Sequence, residues 1–368
     1  MVKIRLVVVI LLGLILAITP LLAACEADVE NGDVNGDVNG NGNGVVNGNG
    51  DGVIELTFGG LYPPDHPFSL ATVAWIEKIE EETDGRVHIE PFWAGALYGP
   101  RDSATELGRG VADIGDFSGA YAAEGFDFEK SFRMIFYGVD DRDLARRVYN
   151  ELNAQYPELE AEFTDANIKV LAYASVPPYH LITVNDPVRT VDDFQGLMLK
   201  TTGDLAKLAA ALGAEGQTIG MGDLYVNLEK NTVDGGFVTD ETLASFLFAE
   251  VVDYCTRLYI SSAPAGHWGM CLDTWNSLPA DIQQVFEDNI EWFGLKVEEL
   301  AFLKNEEGVA LANQHGVEFI TLSAADLEEI YAAADAVIRV EMADLDAKGL
   351  PGTEVYEEFR RLIDEYSD

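Results

Sequence analysis

The chain has 368 residues, with 23 Lys and Arg against 64 Asp and Glu, and a formal net charge of −41 at pH 7. A surface this acidic repels nucleic acid and the anionic face of a bilayer, so nucleic acid is excluded as a partner. Yet 48% of the residues are hydrophobic and 10% aromatic, too many for a disordered acidic chain, and the length predicts a large globular unit in two lobes.

Residues 1–24 read as a secretory signal. Lys3 and Arg5 precede an aliphatic run from Leu6 to Ile18, and Leu22-Ala23-Ala24-Cys25 closes it. The run is short for a membrane span. Its small-small-Cys end looks like a bacterial lipobox, in which cleavage leaves Cys25 as a lipidated N-terminus, implying an extracytoplasmic protein anchored to the membrane in the periplasm or at the cell surface. Residues 25–52 are a near-repeat of Asn-Gly and Asp-Val with no aromatic residue and no helical or strand period. Such a segment buries nothing, and it reads as a flexible tether. Calcium binding by a Gly-Asp repeat is the weaker alternative, because the acids are sparse and no apolar position recurs to build a stacked coil.

Ile54-Glu55-Leu56-Thr57-Phe58 then alternates as a half-buried strand, and Ser69 to Glu82 carries Val73, Ile76, Ile79 and Glu80 at helical spacing. Thr83-Asp84-Gly85-Arg86 is a helix stop and turn, and Val87 to Phe92 is a second strand, so a parallel strand-helix-strand unit is predicted. A helix near Asp102 to Arg109 and strands near Ala112 to Phe117 and Ile168 to Tyr173 follow. A second series runs from a strand at Leu197 to Lys200 through helices at Asp204 to Leu212 and Asp223 to Lys230 to a strand at Val233 to Val238. This rhythm predicts an α/β protein with lobe I at 53–177, a return segment near 256–275, and lobe II at 178–255. Pro279 to Asn313 and Ala324 to Ala347 are long, Glu-rich and amphipathic, with Val285, Ile290, Phe293, Leu300 and Leu303 in apolar positions. Helices of that length, within 276–368, are expected to bridge both lobes.

Thr256 to Met270 alternates at both ends around Ser261 to Gly266, which reads as two paired strands with Cys255 and Cys271 at their outer ends. In an oxidising compartment these cysteines are candidates for a disulfide, which would stabilise by about 3 kcal/mol; two buried free thiols are the alternative. No His or Cys cluster has metal-ligand spacing, and no cofactor is expected.

Seven short pieces now align in one order. They are Asp65-His66-Pro67, Glu82-Thr83-Asp84-Gly85-Arg86-Val87, Phe92-Trp93-Ala94-Gly95-Ala96-Leu97-Tyr98-Gly99, Gly110-Val111-Ala112-Asp113-Ile114, Thr190 to Leu197 (TVDDFQGL), Val233-Asp234-Gly235 and Trp275-Asn276-Ser277-Leu278-Pro279. In that order, across residues 53–320, the chain resembles the extracytoplasmic solute-binding proteins of TRAP (tripartite ATP-independent periplasmic) transporters, the DctP-like family. The resemblance implies a two-lobed periplasmic-binding-protein fold that closes on one small molecule, usually a carboxylate, and hands it to the TRAP permease in the membrane. It also implies an Arg at the end of the strand after the Asp-x-x-Gly turn, where a planar guanidinium pairs bidentately with the carboxylate. This chain has Lys200 there, a point charge without a fork, which reads either as the ligand's counter-charge or as a solvated strand end.

Other positions depart as well. Val238 stands where the family often has Asn, Met221 where an aromatic is common, and His180 where the sialic-acid branch has a second Arg. The candidate pocket is thus Tyr179, His180, Lys200, Met221, Tyr225, Phe237, Val238 and Asp240, with Phe117 and Ser118 from the first lobe and Tyr62 from its first strand-to-helix loop. His66 shares that loop, in the crevice outside the strand ends where ligands collect. His180 reads equally as a satisfied histidine between the lobes, and Met221 and Phe237 equally as core. Two other functions compete with transport. A secreted hydrolase would need Ser118 or Ser175 with His180, but no Gly-x-Ser-x-Gly elbow is present. A sensor that docks on a signalling partner would keep the same fold.

Overall fold

The computed structural model describes residues 52–367 apart from 133, 134, 140, 175, 176, 202, 203 and 262–265, so the signal segment, Cys25, the tether up to residue 51 and Ser175 lie outside the described residues. The first sheet grows from β1 (Ile54–Gly59), helix α1 (Pro67–Glu82), β2 (Val87–Phe92), α2 (Ser103–Gly108) and β3 (Ile114–Asp116). β1 pairs in parallel with both β2 and β3, as the strand-helix-strand reading requires. α1 starts at Pro67, whose fixed φ suits a first helical position, behind the N-cap His66, whose Nδ1 accepts the Phe68 N–H at 3.2 Å. Its buried face is Ala71, Thr72, Trp75, Ile76 and Ile79, and Val73 stands 37% exposed. The stripe therefore runs through Ala71, Trp75 and Ile79 at a spacing of four, one row over from the face expected around Val73.

Next come α3 (Asp127–Ser131), β4 (Phe136–Tyr137), α4 (Arg142–Gln155), α5 (Glu158–Asp165) and β5 (Ile168–Tyr173). Here β4 already pairs with a strand of the second sheet, whereas β5 returns to the first. The second sheet takes β6 (Tyr179–Thr183), β7 (Met198–Thr201), α6 (Asp204–Ala211), β8 (Glu215–Thr218), α7 (Met221–Glu229), β9 (Gly235–Val238), α8 (Thr242–Ser245) and β10 (Tyr254–Ser261). The chain re-enters the first sheet at β11 (Gly266–Cys271) and continues through α9 (Leu272–Ser277), α10 (Ala280–Asp288) and α11 (Ile290–His315). It ends with β12 (Glu318–Thr321), α12 (Ala324–Ala347) and α13 (Gly352–Ser367). The strand orders are β2-β1-β3-β11-β5 and β12-β10-β6-β9-β7-β8, with β4 on β10.

The expected hairpin across Thr256 to Met270 is not formed. β10 pairs with β6 and β12, and β11 pairs with β3 and β5, so this segment passes from one sheet to the other. Alternation reports a half-buried strand but says nothing of its partner. The disulfide expected as one reading falls with the hairpin: Cys255 and Cys271 are both free and buried, one in each sheet. Burial pushes the Cys255 thiol up to about 12. The return to the first lobe accordingly begins at β11, not near residue 256.

The two-lobed fold is fastened by α11. Near its start Phe293 stacks on Trp75 at 4.7 Å between centroids and meets Trp268 of β11 at 5.4 Å. Near its end Ala312 belongs to the second lobe's apolar cluster with Leu224, Leu228 and Phe248. Two glycines mark the points of closest approach. A Cβ on Gly294 would collide with the Tyr173 carbonyl oxygen, and one on Gly308 with the Asp240 carbonyl oxygen. Along the helix these points are about 21 Å apart at 1.5 Å per residue. Between them Glu298, 1% exposed, pairs with Arg146 of α4 at 2.9 Å. α12 lies on α6 and reaches α3, where Lys348 Nζ meets Asp127 at 2.5 Å, and α13 packs on α4 and α12.

Candidate functional site

The loop between β1 and α1 lies outside the carboxyl ends of parallel strands, the usual place for a ligand crevice. Tyr62 in this loop stacks on His66 at 4.3 Å and meets Phe68 edge-on at 5.1 Å. Its phenol is pushed above its ordinary pKa by burial and by four neighbouring groups, Asp116 and Tyr121 from the first-lobe side and Tyr179 and Glu241 from the second. Tyr62 therefore stands where the lobes meet. Burial holds His66 down at about 4, with Lys304 of α11 acting in the same sense and Asp65 opposing, so the ring is neutral at pH 7.

Under the loop lies Asp116, the last residue of β3, 2% exposed. Its Oδ1 accepts the Leu61 N–H at 2.6 Å, while Oδ2 is buried with no hydrogen-bond partner among the described residues. Desolvation raises its pKa to about 8 against the pull of that backbone donor. Sequence reasoning missed this residue. The available signal was an acid at the end of a strand whose other positions, Ile114 and Gly115, are apolar and buried.

From the second lobe, Lys200 of β7 is 3% exposed, which rules out a solvated strand end. It sits in register with Gly236, where a Cβ would come within 2.9 Å of the Lys200 Cβ, so the glycine leaves room for a buried lysine stem. His180 is likewise buried, 3% exposed, and one of its ring nitrogens is engaged inside the lobe. Nδ1 accepts the N–H groups of Leu258 and Tyr259 at 3.2 and 3.4 Å, which puts the proton on Nε2, 3.9 Å from Asp240 Oδ2. Burial, then Arg257, lowers its pKa to about 3. Asp240 in turn bonds Arg257 Nη1 at 2.5 Å. Burial works against the Arg257 charge, but Asp240 and its other neighbours more than offset it and the pKa is raised; the guanidinium also lies 4.7 Å from the Phe319 ring. Asp240 thus pairs with Arg257 and lies close to His180 in one polar cluster of the second lobe.

The remaining candidates divide. Phe117 packs between Phe126 and Phe163, Phe237 is fully buried in register with Leu181, and Val238 is buried opposite His180, so all three are core positions. Met221 and Tyr225 lie half-buried on α7, where the Tyr225 hydroxyl donates to Glu250 at 3.2 Å. Ser118 is half-buried and its N–H donates to Ser103 Oγ at 3.1 Å. Tyr62 of the first lobe thus lies within electrostatic reach of Asp116 and of Tyr179 and Glu241 from the second-lobe side. Glu241 and Lys304 had no motif to announce them. The Glu241 N–H is held by Asn305 of α11 at 2.8 Å, next in sequence to Lys304. A separate groove of about 500 Å³ runs between β4, α4, α12 and α13, lined by Tyr137, Leu144, Tyr331 and Arg360. None of these residues belongs to the junction, and the chemistry favours the junction as the site.

The sequence and the fold were compared with known proteins. The model of "Bacterial extracellular solute-binding protein, family 7" (DctP) matches residues 58–344. A solute-binding protein of Verminephrobacter eiseniae is 25% identical over 221 residues, 60% of this chain and 65% of that protein, so the match spans under two thirds of that relative. A TRAP periplasmic solute-binding protein of Desulfovibrio salexigens, in an open complex with the C-terminus of a symmetry mate in its ligand-binding site, superposes with a TM-score of 0.72. It is 26% identical and covers 86% of this chain and 97% of its own. A TRAP solute-binding protein of Rhodoferax ferrireducens, in complex with copurified benzoate, shares the fold with a TM-score of 0.73, 21% identity and coverage of 86% and 99%. The two α/β sheets, the long helix that joins them and the match to most of the chain place this protein in the bacterial extracellular solute-binding protein family 7, the DctP-type solute-binding proteins of TRAP transporters.

Proposed function

We propose that this protein captures a small organic carboxylate between its lobes by hinge closure and delivers it to a TRAP-type permease, while a lipid on Cys25 holds it outside the membrane. The observation that carries the carboxylate is Lys200, a cation buried to 3% exposure in a chain of net charge −41. Lys200 stands where the family pairs an Arg with the ligand carboxylate, and an ammonium at that position can neutralise such a group when the lobes close on it. The benzoate-bound relative and the open complex holding a C-terminus support a carboxylate as the ligand class. Residues 53–177 and 266–275 are the proposed first lobe, apart from β4, and 178–261 the core of the second.

The test is a thermal-shift and calorimetric screen of the purified mature protein against organic acids, amino acids and neutral sugars, with Lys200→Met and Lys200→Arg beside the wild type. An organic acid should stabilise the wild type, by about 2.7 kcal/mol at a hundredfold excess over Kd. Lys200→Met should cost about 3 kcal/mol or more of affinity, and Lys200→Arg should change ligand preference, because a guanidinium asks for a bidentate partner. Stabilisation by neutral sugars and by no carboxylate would overturn the reading.

A further inference from the structure

Asp116 is placed like a ligand contact and partnered like an unfinished one. It ends β3 beside β1, under the loop that carries Tyr62, and its Oδ1 is fixed by the Leu61 N–H at 2.6 Å. Oδ2 is enclosed without a partner among the described residues. Of the groups around it, the Tyr98 hydroxyl donates to the Gly59 carbonyl at 3.1 Å, and the indole N–H of Trp268, in register across the β3–β11 ladder, is buried and makes no hydrogen bond to Oδ2. The side that remains is that of Tyr62, which is half-buried and acts at once on Asp116 and on Tyr179 and Glu241 of the opposite lobe. A buried oxygen left without its hydrogen bond costs stability, and such costs persist mainly at functional sites.

We propose that Asp116 is a specificity-determining residue of the interlobe site. Its Oδ2 shares a hydrogen bond with a hydroxyl or ammonium of the ligand, a group distinct from the carboxylate assigned to Lys200, and the carboxyl releases its proton to solvent when that group is an ammonium. This rests on the organic-acid reading above and narrows it to hydroxy- or amino-substituted acids. A site built to bond an O–H or N–H discriminates strongly against the analogue without it, because the protein's acceptor is then left unpaired.

The experiment is calorimetric titration of the purified mature protein with propanoate, succinate, benzoate and phenylacetate, each against its hydroxyl- and amino-substituted forms. At least one substituted acid should bind the wild type tenfold or more tighter than its parent, on the order expected for one buried hydrogen bond. In Asp116→Leu that ratio should fall to within about twofold. Asp116→Asn keeps the shape and an acceptor oxygen, and should lose preference for the amino forms first. It decides the question should Asp116→Leu fail to fold. The inference is overturned if parent and substituted acids bind the wild type alike, or if the preference survives in Asp116→Leu. Binding of acids without preference removes this inference alone, whereas failure of every acid to bind removes the organic-acid reading and this inference with it.

Discussion

Burying Asp116 without a counter-charge makes the stability of the protein depend on pH in a direction opposite to that of an ordinary paired carboxylate. Its folded pKa of about 8 lies above the ordinary 3.8, so between those values the folded chain holds a proton that the unfolded chain has lost. Stability at this residue therefore falls as pH rises through that window. The neutral histidines work the other way: His66 at about 4 and His180 at about 3 gain protons on unfolding below their ordinary 6.5, which lowers stability as pH falls. Comparing urea unfolding of the wild type and Asp116→Asn from pH 4 to 8 isolates the acid. The advantage of Asp116→Asn should grow with pH by up to about 1.4 kcal/mol per unit. A difference that is flat in pH would show that Asp116 is ionised throughout. At the same scale, His180 shows how a residue in a plausible pocket position is claimed by its own lobe. Two backbone N–H groups occupy its Nδ1 and Asp240 lies 3.9 Å from its Nε2, and no sequence pattern records those neighbours.

Among the elements, α11 does the most to hold the lobes in one molecule. Its hydrophobic face was readable in Phe293 and in its length, but its two contact points are glycines, and a glycine in a helix reads as a defect worth about 1 kcal/mol against Ala. Here the missing Cβ lets the helix backbone reach the carbonyls of Tyr173 and Asp240. Gly294→Ala and Gly308→Ala should therefore destabilise, by about 1–3 kcal/mol of overpacking, although each improves helix propensity. Calorimetric melting of the two variants checks the sign. A rise in Tm for either would mean that the helix can move away from the lobe without loss. Gly308→Ala should also alter ligand affinity, because it displaces the turn at Asp240 between β9 and α8, whereas Gly294→Ala acts on β5, away from the second lobe's polar cluster. Elements with a strong period were legible: Ile168–Tyr173 forms as read, and α6, α7 and β7 shift by a few residues at their ends at most. What escaped was which sheet each strand joins. β4 is two residues long and carries too little pattern to identify, and β10 and β11 alternate alike although they belong to different lobes.

Across the whole molecule, charge and address act together. An anion approaching a chain of net charge −41 meets a repulsive field, so its association rate should rise with added salt up to the point where screening is complete, while a buried Lys200 is felt only at contact. Stopped-flow binding of an identified acid ligand between about 10 and 150 mM salt, a range over which the Debye length shrinks to about 8 Å, tests this. A rate that falls instead would point to a local cationic funnel. The proposed anchor makes a second whole-molecule test: Cys25→Ser should abolish lipid labelling and release the protein from the membrane fraction, because a single acylated residue would be its hydrophobic attachment. Retention of the variant in membranes would point to an uncleaved span.

The order of motifs from Asp65 to Pro279, the acidic composition and the alternation of strand and helix were enough to determine the family, the two-lobed α/β class and the reading as a binding protein, because these depend on local chemistry and its order along the chain. The geometry of the site was decided by the tertiary structure. Whether Lys200 is solvated or buried, whether His180 is free for a ligand or bonded to Leu258 and Tyr259, whether Cys255 can reach Cys271, and whether an acid in β3 has a partner all depend on residues far away in sequence. Desolvation and hydrogen-bond satisfaction are properties of a neighbourhood, and the chain assembles that neighbourhood only when both sheets and α11 come together.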